Sequence, residues 1–326
     1  MQSQSFIISQ KRGYLYVVMA ALLWAVSGSA AKFLFSTGIS PFELVQLRLT
    51  IAAAVLLAWL LLHSPARLKI ATRDIGYFII LGSGAMAAVQ FTYLFSISKI
   101  HVAAAILLQY LAPGFIALYT VAVTRDRLGR TTVLALVGAF SGCYLVVGAY
   151  DFNMFAMNHL GVISGFLSAL AFAWYSLQGE YGMRRYHPWT VLFFALLFGA
   201  VVWNILQPPF GAFLRRYAPL QWGWIGYISL LGTLLPFGFY FKGINLIRST
   251  RASITATLEP ITAGVLSFVF LKEIMTPLQI IGGLMVIAAV ILLQIEQSFD
   301  KNAPDVIRKR GKLVNSDAID TPAETD

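Results

Sequence analysis

The stretch A-S-I-T-A-T-L-E-P-I-T-A-G-V-L-S-F-V-F-L-K-E, residues 252–273, decides the reading of the chain because it occurs twice. Residues 105–126 read A-I-L-L-Q-Y-L-A-P-G-F-I-A-L-Y-T-V-A-V-T-R-D and align with it without a gap, at an offset of 147 residues. Ala105 falls on Ala252, Pro113 on Pro260, Arg125 on Lys272 and Asp126 on Glu273. Each copy is an apolar helix long enough to cross hydrocarbon, interrupted by proline near its middle and closed by a basic–acidic pair. The later copy alone has a carboxylate, Glu259, just before its proline; Ala112 stands there in the first.

The rest of the chain has the same character. Of its 326 residues 58% are hydrophobic and only 12% charged, against about 25% in soluble domains. Its apolar runs are long and do not alternate, which excludes a β-barrel. The fold class is an all-α polytopic membrane protein. Ten spans are expected: 13–35, 42–62, 75–98, 101–123, 130–149, 159–180, 189–206, 222–246, 250–271 and 276–296. Lys11 and Arg12 before the first apolar run imitate a secretory signal, but the run continues toward Phe35 and reads as an uncleaved span.

The repeat extends beyond the opening stretch. Tyr93 falls on Tyr240, and Pro41 and Pro188 each start the second helix of a half. Spans 1–5 therefore recur as 6–10. Five is odd, so the halves cross the membrane in opposite senses, giving a 5+5 inverted-topology repeat. This is a recurring plan of secondary transporters, with a site near the midplane where the halves meet. The expected division is a cytoplasmic tail at 1–12, a first repeat at 13–149, a linker at 150–158, a second repeat at 159–296 and a disordered cytoplasmic tail at 297–326. The basic part of that tail is expected beside anionic lipid headgroups.

The net charge of +10 does not indicate nucleic acid, because the basic residues lie between apolar runs rather than on one face. Counted by side, seventeen Lys and Arg fall on the face that includes the N-terminus, and four (Lys99, Arg215, Arg216 and Lys272) on the other. The positive-inside rule then puts both termini in the cytoplasm. Cys143 is the single cysteine and has no internal disulfide partner. The four histidines fall near helix ends without metal-ligand spacing, so no metal site is expected. A phosphate-binding loop, a G-x-S-x-G elbow and an Asp-rich loop are all missing. The chain reads as a carrier without cofactor, not as an enzyme.

Charge inside a span is the sharpest signal, because it is costly and must face water, a partner or a proton. Glu259 reads as a proton-coupling or substrate-ammonium site, or else as an internal salt bridge or hydrogen bond fixing helix 9. Thr255, Glu259 and Thr262 share a face by i, i+4, i+7 spacing. Pro260 frees a backbone carbonyl, and Pro113 and Pro260 read as weak points where helices 4 and 9 move. Arg48 reads as a carboxylate binder, or as a structural residue paired with Glu43 or a backbone carbonyl. Lys242 reads as a snorkelling side chain. An aromatic-walled cavity with amide handles is expected among helices 1, 3, 4, 6, 8 and 9. Its candidates are Trp24, Gln90, Tyr93, Gln109, Trp174, Tyr175, Gln178, Tyr240 and Thr255, with Ser27, Tyr110 and Phe237 nearby. G-x-x-x-G pairs at Gly138 and Gly142, and at Gly161 and Gly165, read as notches for close helix packing.

The pattern resembles the drug/metabolite transporter superfamily, in its ten-helix branch with tandem EamA domains. The resemblance rests on Trp24, P-F-E-L-V-Q-L-R at 41–48, the Ala-rich entry to helix 4 before Pro113, L-E-P at 258–260, L-K-E at 271–273, and the following Pro277, Gln279, Gly282 and Gly283. It implies the inverted repeat, a bacterial inner-membrane location, and export or sometimes uptake of small metabolites. The resulting expectation is a secondary transporter of a small polar metabolite, such as an amino acid or derivative, working outward by alternating access and coupled to protons through Glu259. Alternatives are a multidrug or organic-cation exporter, an uptake carrier for a sugar or vitamin, and, from another class, a lipid-modifying enzyme or a subunit of a complex. Expected partners are the substrate, membrane lipid and protons, with the protein a monomer or homodimer.

Overall fold

A computed structural model describes residues 2–125, 128–151, 158–266, 276–295 and 302–317. Asp126, Lys272 and Glu273 of the two basic–acidic pairs lie outside the described residues, as do most of the expected linker and parts of the tail. Among the described residues the chain is helical, with no strand. The helices are α1 (Gln2–Ser36), α2 (Pro41–His63), α3 (Thr72–Lys99), α4 (Val102–Ala122), α5 (Arg130–Val146), α6 (His159–Met183) and α7 (Pro188–Leu206). Helical hydrogen bonding then runs from Pro219 to Ala256, but Arg248, at φ 66 and ψ 166, divides it into α8 (219–247) and α9 (249–266). The chain continues as α10 (Pro277–Ile295) and α11 (Pro304–Asp317). Among the described residues eight helices are long and apolar enough to cross a membrane, with Arg130–Val146 a shorter apolar one; residues 267–271 of the ninth expected span lie outside the described residues.

Helix starts follow a local rule. Proline at the first helical position suits the fixed φ and wastes no hydrogen bond. An acceptor three residues after the cap closes the remaining donors. Ser40-Pro41-Phe42-Glu43 forms a full capping box, with Glu43 N–H on Ser40 Oγ at 3.2 Å and Ser40 N–H on Glu43 Oε2 at 2.8 Å. Thr276-Pro277-Leu278-Gln279 repeats it. α7 starts instead on His187, whose Nδ1 accepts Trp189 N–H at 3.3 Å.

The packing partners reveal the symmetry. α1 packs on α8 and α3 on α6; α2 packs on α7 and α5 on α10; α4 packs on α6 and the later part of α9 on α1. Exchanging each helix for its counterpart five helices on maps this set of pairs onto itself. Both halves also carry a π-turn at matching places, Ile80–Met86 in α3 and Leu230–Leu234 in α8.

The glycine notches differ in tightness. A Cβ on Gly142 would stand 2.7 Å from Gly282 O, so α5 and α10 touch backbone to backbone, whereas one on Gly138 would meet only Ala289 Cβ at 3.7 Å. Gly161 and Gly165 fit against Ile100 and Leu108.

Two expectations change. Residues 2–12 continue α1 instead of forming a separate tail. Residues 304–317 of the tail form α11, which Arg308 docks by donating from Nη1 to Met183 O (2.6 Å) at the end of α6 and to Tyr186 O (3.0 Å) just beyond it. Lys242 Nζ, read as snorkelling, sits 5.0 Å from the ring centre of Tyr16 and 5.2 Å from that of Trp189, close enough for cation–π attraction.

Candidate functional site

α4 and α9 each break in mid-course. α4 stops at Gln109, turns through Tyr110 and Leu111, and resumes at Ala112. α9 turns at Thr257 and resumes at Leu258. A proline removes the hydrogen bond to the carbonyl four residues earlier. Pro260 therefore frees Ala256 O, and Tyr110 Oη donates to that oxygen across the seam at 2.7 Å. The same hydroxyl is 2.8 Å from Glu259 Oε2. The break thus falls three residues before the proline in each helix, and it separates Thr255 from the face of Glu259.

An enclosed cavity lies between these breaks. It is lined by Trp24 and Ser27 of α1, Arg48 of α2, Val89, Gln90 and Tyr93 of α3, Gln109 and Tyr110 of α4, Phe172 of α6, Phe237 of α8 and Glu259 of α9. The space open to the centres of water molecules is about 30 Å³, room for a few waters at most. A metabolite must therefore widen it. Trp24 forms the hub of the aromatic wall, with its ring 5.1 Å from Phe237 and 6.1 Å from Phe172.

The polar groups are spread over both halves. Arg48 is buried. Its Nε donates to Thr233 Oγ1 at 2.8 Å and its Nη2 to Gly232 O at 3.3 Å. The π-turn of α8 supplies both acceptors. Thr233 gives its own proton to Ile228 O, five residues back, at 2.7 Å. Arg48 does not pair with Glu43, whose carboxylate is taken by the cap of α2 and by Arg215 Nε at 2.6 Å. Tyr93 Oη is buried and has no hydrogen-bond partner among the described residues. A buried hydroxyl left open on a cavity calls for water or a ligand.

Of the ten residues expected to bind substrate, Glu259, Trp24, Gln90, Tyr93 and Gln109 line the cavity. Tyr240, Tyr175 and Thr255 are buried but stand behind its wall. Tyr240 is 2.9 Å from Ser176 Oγ, Tyr175 stacks on Phe241, and Thr255 donates to Arg251 O. Trp174 and Gln178 face the other way. With Tyr181 they follow i, i+4, i+7 spacing and line a groove of about 680 Å³ against α4, beside Phe115 and Leu118. Trp174 is 40% exposed. Phe172 and Val89 line the cavity without having been singled out. Their only sequence signal is position, two residues before Trp174 and one before Gln90. No cluster of His, Cys, Asp or Glu able to hold a metal occurs among the described residues.

A membrane-crossing bundle built from two opposed halves around a small, largely apolar cavity with a few polar groups has the form of a transporter. Comparison with known proteins gives the particular group. The model of the EamA-like transporter family matches twice, at residues 11–148 and 159–295. The chain belongs to the EamA-like transporter family.

Relatives match over nearly their full length. An uncharacterized inner membrane transporter of Salmonella typhimurium, YicL, is 26% identical, over 88% of this chain and 97% of its own. The pseudopaline exporter CntI of Pseudomonas aeruginosa is 25% identical, over 87% and 96%. The threonine/homoserine exporter RhtA of Escherichia coli is 23% identical, over 84% and 88%. A solved crystal structure superposes with a TM-score of 0.69 at 19% identity, covering 88% of this chain and 97% of the other. At that identity the likeness shows the fold alone. The protein is thus a multi-pass membrane transporter of small metabolites.

Proposed function

We propose that this protein is a secondary active exporter of a small polar metabolite, an amino acid or a derivative of one, working by alternating access. The observation behind this reading is a small cavity that brings a cation, Arg48, and a carboxylate, Glu259, together between aromatic walls. A zwitterion matches both charges, its carboxylate on Arg48 and its ammonium on Glu259. A lipophilic cation suits Glu259 and the aromatic wall, but it meets Arg48 with like charge in a medium of low dielectric constant. A neutral sugar leaves both charges unmatched. The relative named for threonine and homoserine export agrees with the zwitterion.

Proton coupling through Glu259 belongs to the same reading. Tyr110 has one proton and two acceptors within reach, Ala256 O and Glu259 Oε2. When Glu259 is ionised, the hydroxyl can turn to the carboxylate. When Glu259 is protonated, the hydroxyl can stay on Ala256 O. By the excess of Lys and Arg on one side, both termini face the cytoplasm of a bacterial cell. The protein works as a monomer or a homodimer.

The test is counterflow of labelled amino acids by the purified protein alone in proteoliposomes. Accumulation against unlabelled amino acid supports the reading. Exchange of lipophilic cations without any exchange of amino acids would replace it with the organic-cation exporter.

A further inference from the structure

A second buried carboxylate lies apart from the cavity. Glu180, in the last turn of α6, is 4% exposed. Its Oε2 accepts Ser249 N–H at 2.8 Å and Ser249 Oγ–H at 2.6 Å. Its Oε1 accepts Arg248 Nε–H at 3.0 Å. These are the residues at which α8 becomes α9. The carboxylate therefore sits on the N-terminus of α9, where the helix dipole favours negative charge.

The turn it holds is strained. Arg248 has φ 66 and ψ 166, a combination that only glycine adopts freely. Such a residue persists only where its surroundings over-determine it, and these places cluster at switches. Two residues further on, Thr250 Oγ1 lies 3.4 Å from Thr120 Oγ1 of α4. The first part of α9 thus meets the second part of α4 at this end of the molecule.

The matching turn of the first half is relaxed. Ile100 has φ −128 and ψ −179, and His101 has φ −65 and ψ 140. Its clasp comes from α1, where Lys32 Nζ donates to Ile97 O at 2.7 Å and Ile100 O at 3.0 Å. Lys32 and Glu180 occupy repeat-related positions to within one residue. In each half, then, the first helix fastens the turn between the third and fourth. The fastenings lie at opposite ends of the molecule. One is a half-buried lysine on relaxed carbonyls, the other a buried carboxylate on a strained turn.

We infer that Glu180 is the positioning residue of a gate: it holds the α8–α9 turn bent and the cavity shut at that end, and its release frees the strained Arg248 and opens the cavity to that side. Neither Glu180 nor Arg248 lines the cavity. The inference rests on the alternating-access reading but is indifferent to which substrate is carried.

The test is sided labelling of a cavity cysteine. In a Cys143→Ser background, Ser27→Cys places one thiol on the cavity wall. A membrane-impermeant maleimide is applied to right-side-out and to inside-out vesicles. A separate Arg185→Cys variant, beside the gate, reports which orientation exposes that end. Glu180→Gln is expected to speed Ser27→Cys labelling at least tenfold in that orientation and to leave the other within about twofold. A second pair isolates the strain. Arg248→Ala and Arg248→Gly both lose the ion pair, but only alanine keeps an unfavourable backbone, so the alanine variant should label faster. This pair decides the matter if Glu180→Gln fails to fold.

Unchanged labelling, an equal rise in both orientations, or identical Ala and Gly rates would overturn the gate. Sided labelling without counterflow of any solute would leave the gate standing and sink the transport reading. Intact counterflow with unsided labelling would do the reverse.

Discussion

α4 and α9 break at matching places, at Tyr110 and Thr257, 147 residues apart and three residues ahead of a proline in each. Their backbones agree, and their side chains do not. Tyr110 brings a hydroxyl to the seam, where Thr257 turns its own onto Ile254 O at 2.6 Å. Ala112 is fully buried where the other half has Glu259. The same split runs through the cavity. Gln90 and Phe237 occupy equivalent positions and both line it, one as an amide and the other as a ring. The cation comes from the first half and the carboxylate from the second. The backbone break is common to both halves, whereas the cation and the carboxylate are each present in one half alone. A substrate with two unlike ends fits such a cavity better than one with two like ends.

The largest expected effect tests the carboxylate that only one half has. Glu259→Gln should cut proton-driven transport about 100-fold, the loss of one or two charge-assisted contacts, while counterflow without a gradient falls far less. Equal loss in both assays would give Glu259 to binding alone. The next tests the cation of the other half. Arg48→Ala should raise KM for an amino acid about 10- to 100-fold, and Arg48→Lys should recover only part of it, since lysine lacks the planar fork. A smaller effect concerns packing. Gly142→Ala pushes a methyl group into the Gly282 backbone and should cost about 1–3 kcal/mol. Gly114→Ala, where a Cβ meets nothing within 4 Å, should stay within about 0.5 kcal/mol. Thermal unfolding in detergent separates the two.

The smallest expected effect compares caps. Ser40 and His187 are repeat-equivalent and each starts a second helix. Burial, with Arg67 and Arg308 nearby, pulls the His187 imidazole down to about 4. Its Nδ1 caps α7 only when unprotonated. The unfolded chain binds this proton below about 6.5, and the folded chain only near 4. The stabilisation is therefore complete above about pH 6.5 and is lost as pH falls toward 4. His187→Asn should flatten that part of the stability-against-pH curve, and Ser40→Ala should lower stability equally at all these pH values.

Some of the site was legible beforehand. Glu259, Arg48, Trp24, Gln90, Tyr93 and Gln109 announced themselves because a charge, amide or indole in an apolar span needs a partner. Trp174 and Gln178 announced themselves equally and face a groove instead. Glu180 escaped notice because it stands at the end of its span, where a carboxylate in sequence looks like an interfacial one. Only the fold shows that Ser249 and Arg248 come to it from another helix.

What the sequence determined by itself was the number of crossings, their opposed senses and the places where α4 and α9 weaken. These depend on apolar length, charge between runs and proline, which are local quantities. What only the tertiary structure decided was which side of each helix meets the cavity. A helix that is apolar all round has no stripe to mark its inner face, because lipid and protein neighbours are equally free of water. The choice is made by close fit and by the few hydrogen bonds across the seam, and those exist only once distant helices are side by side.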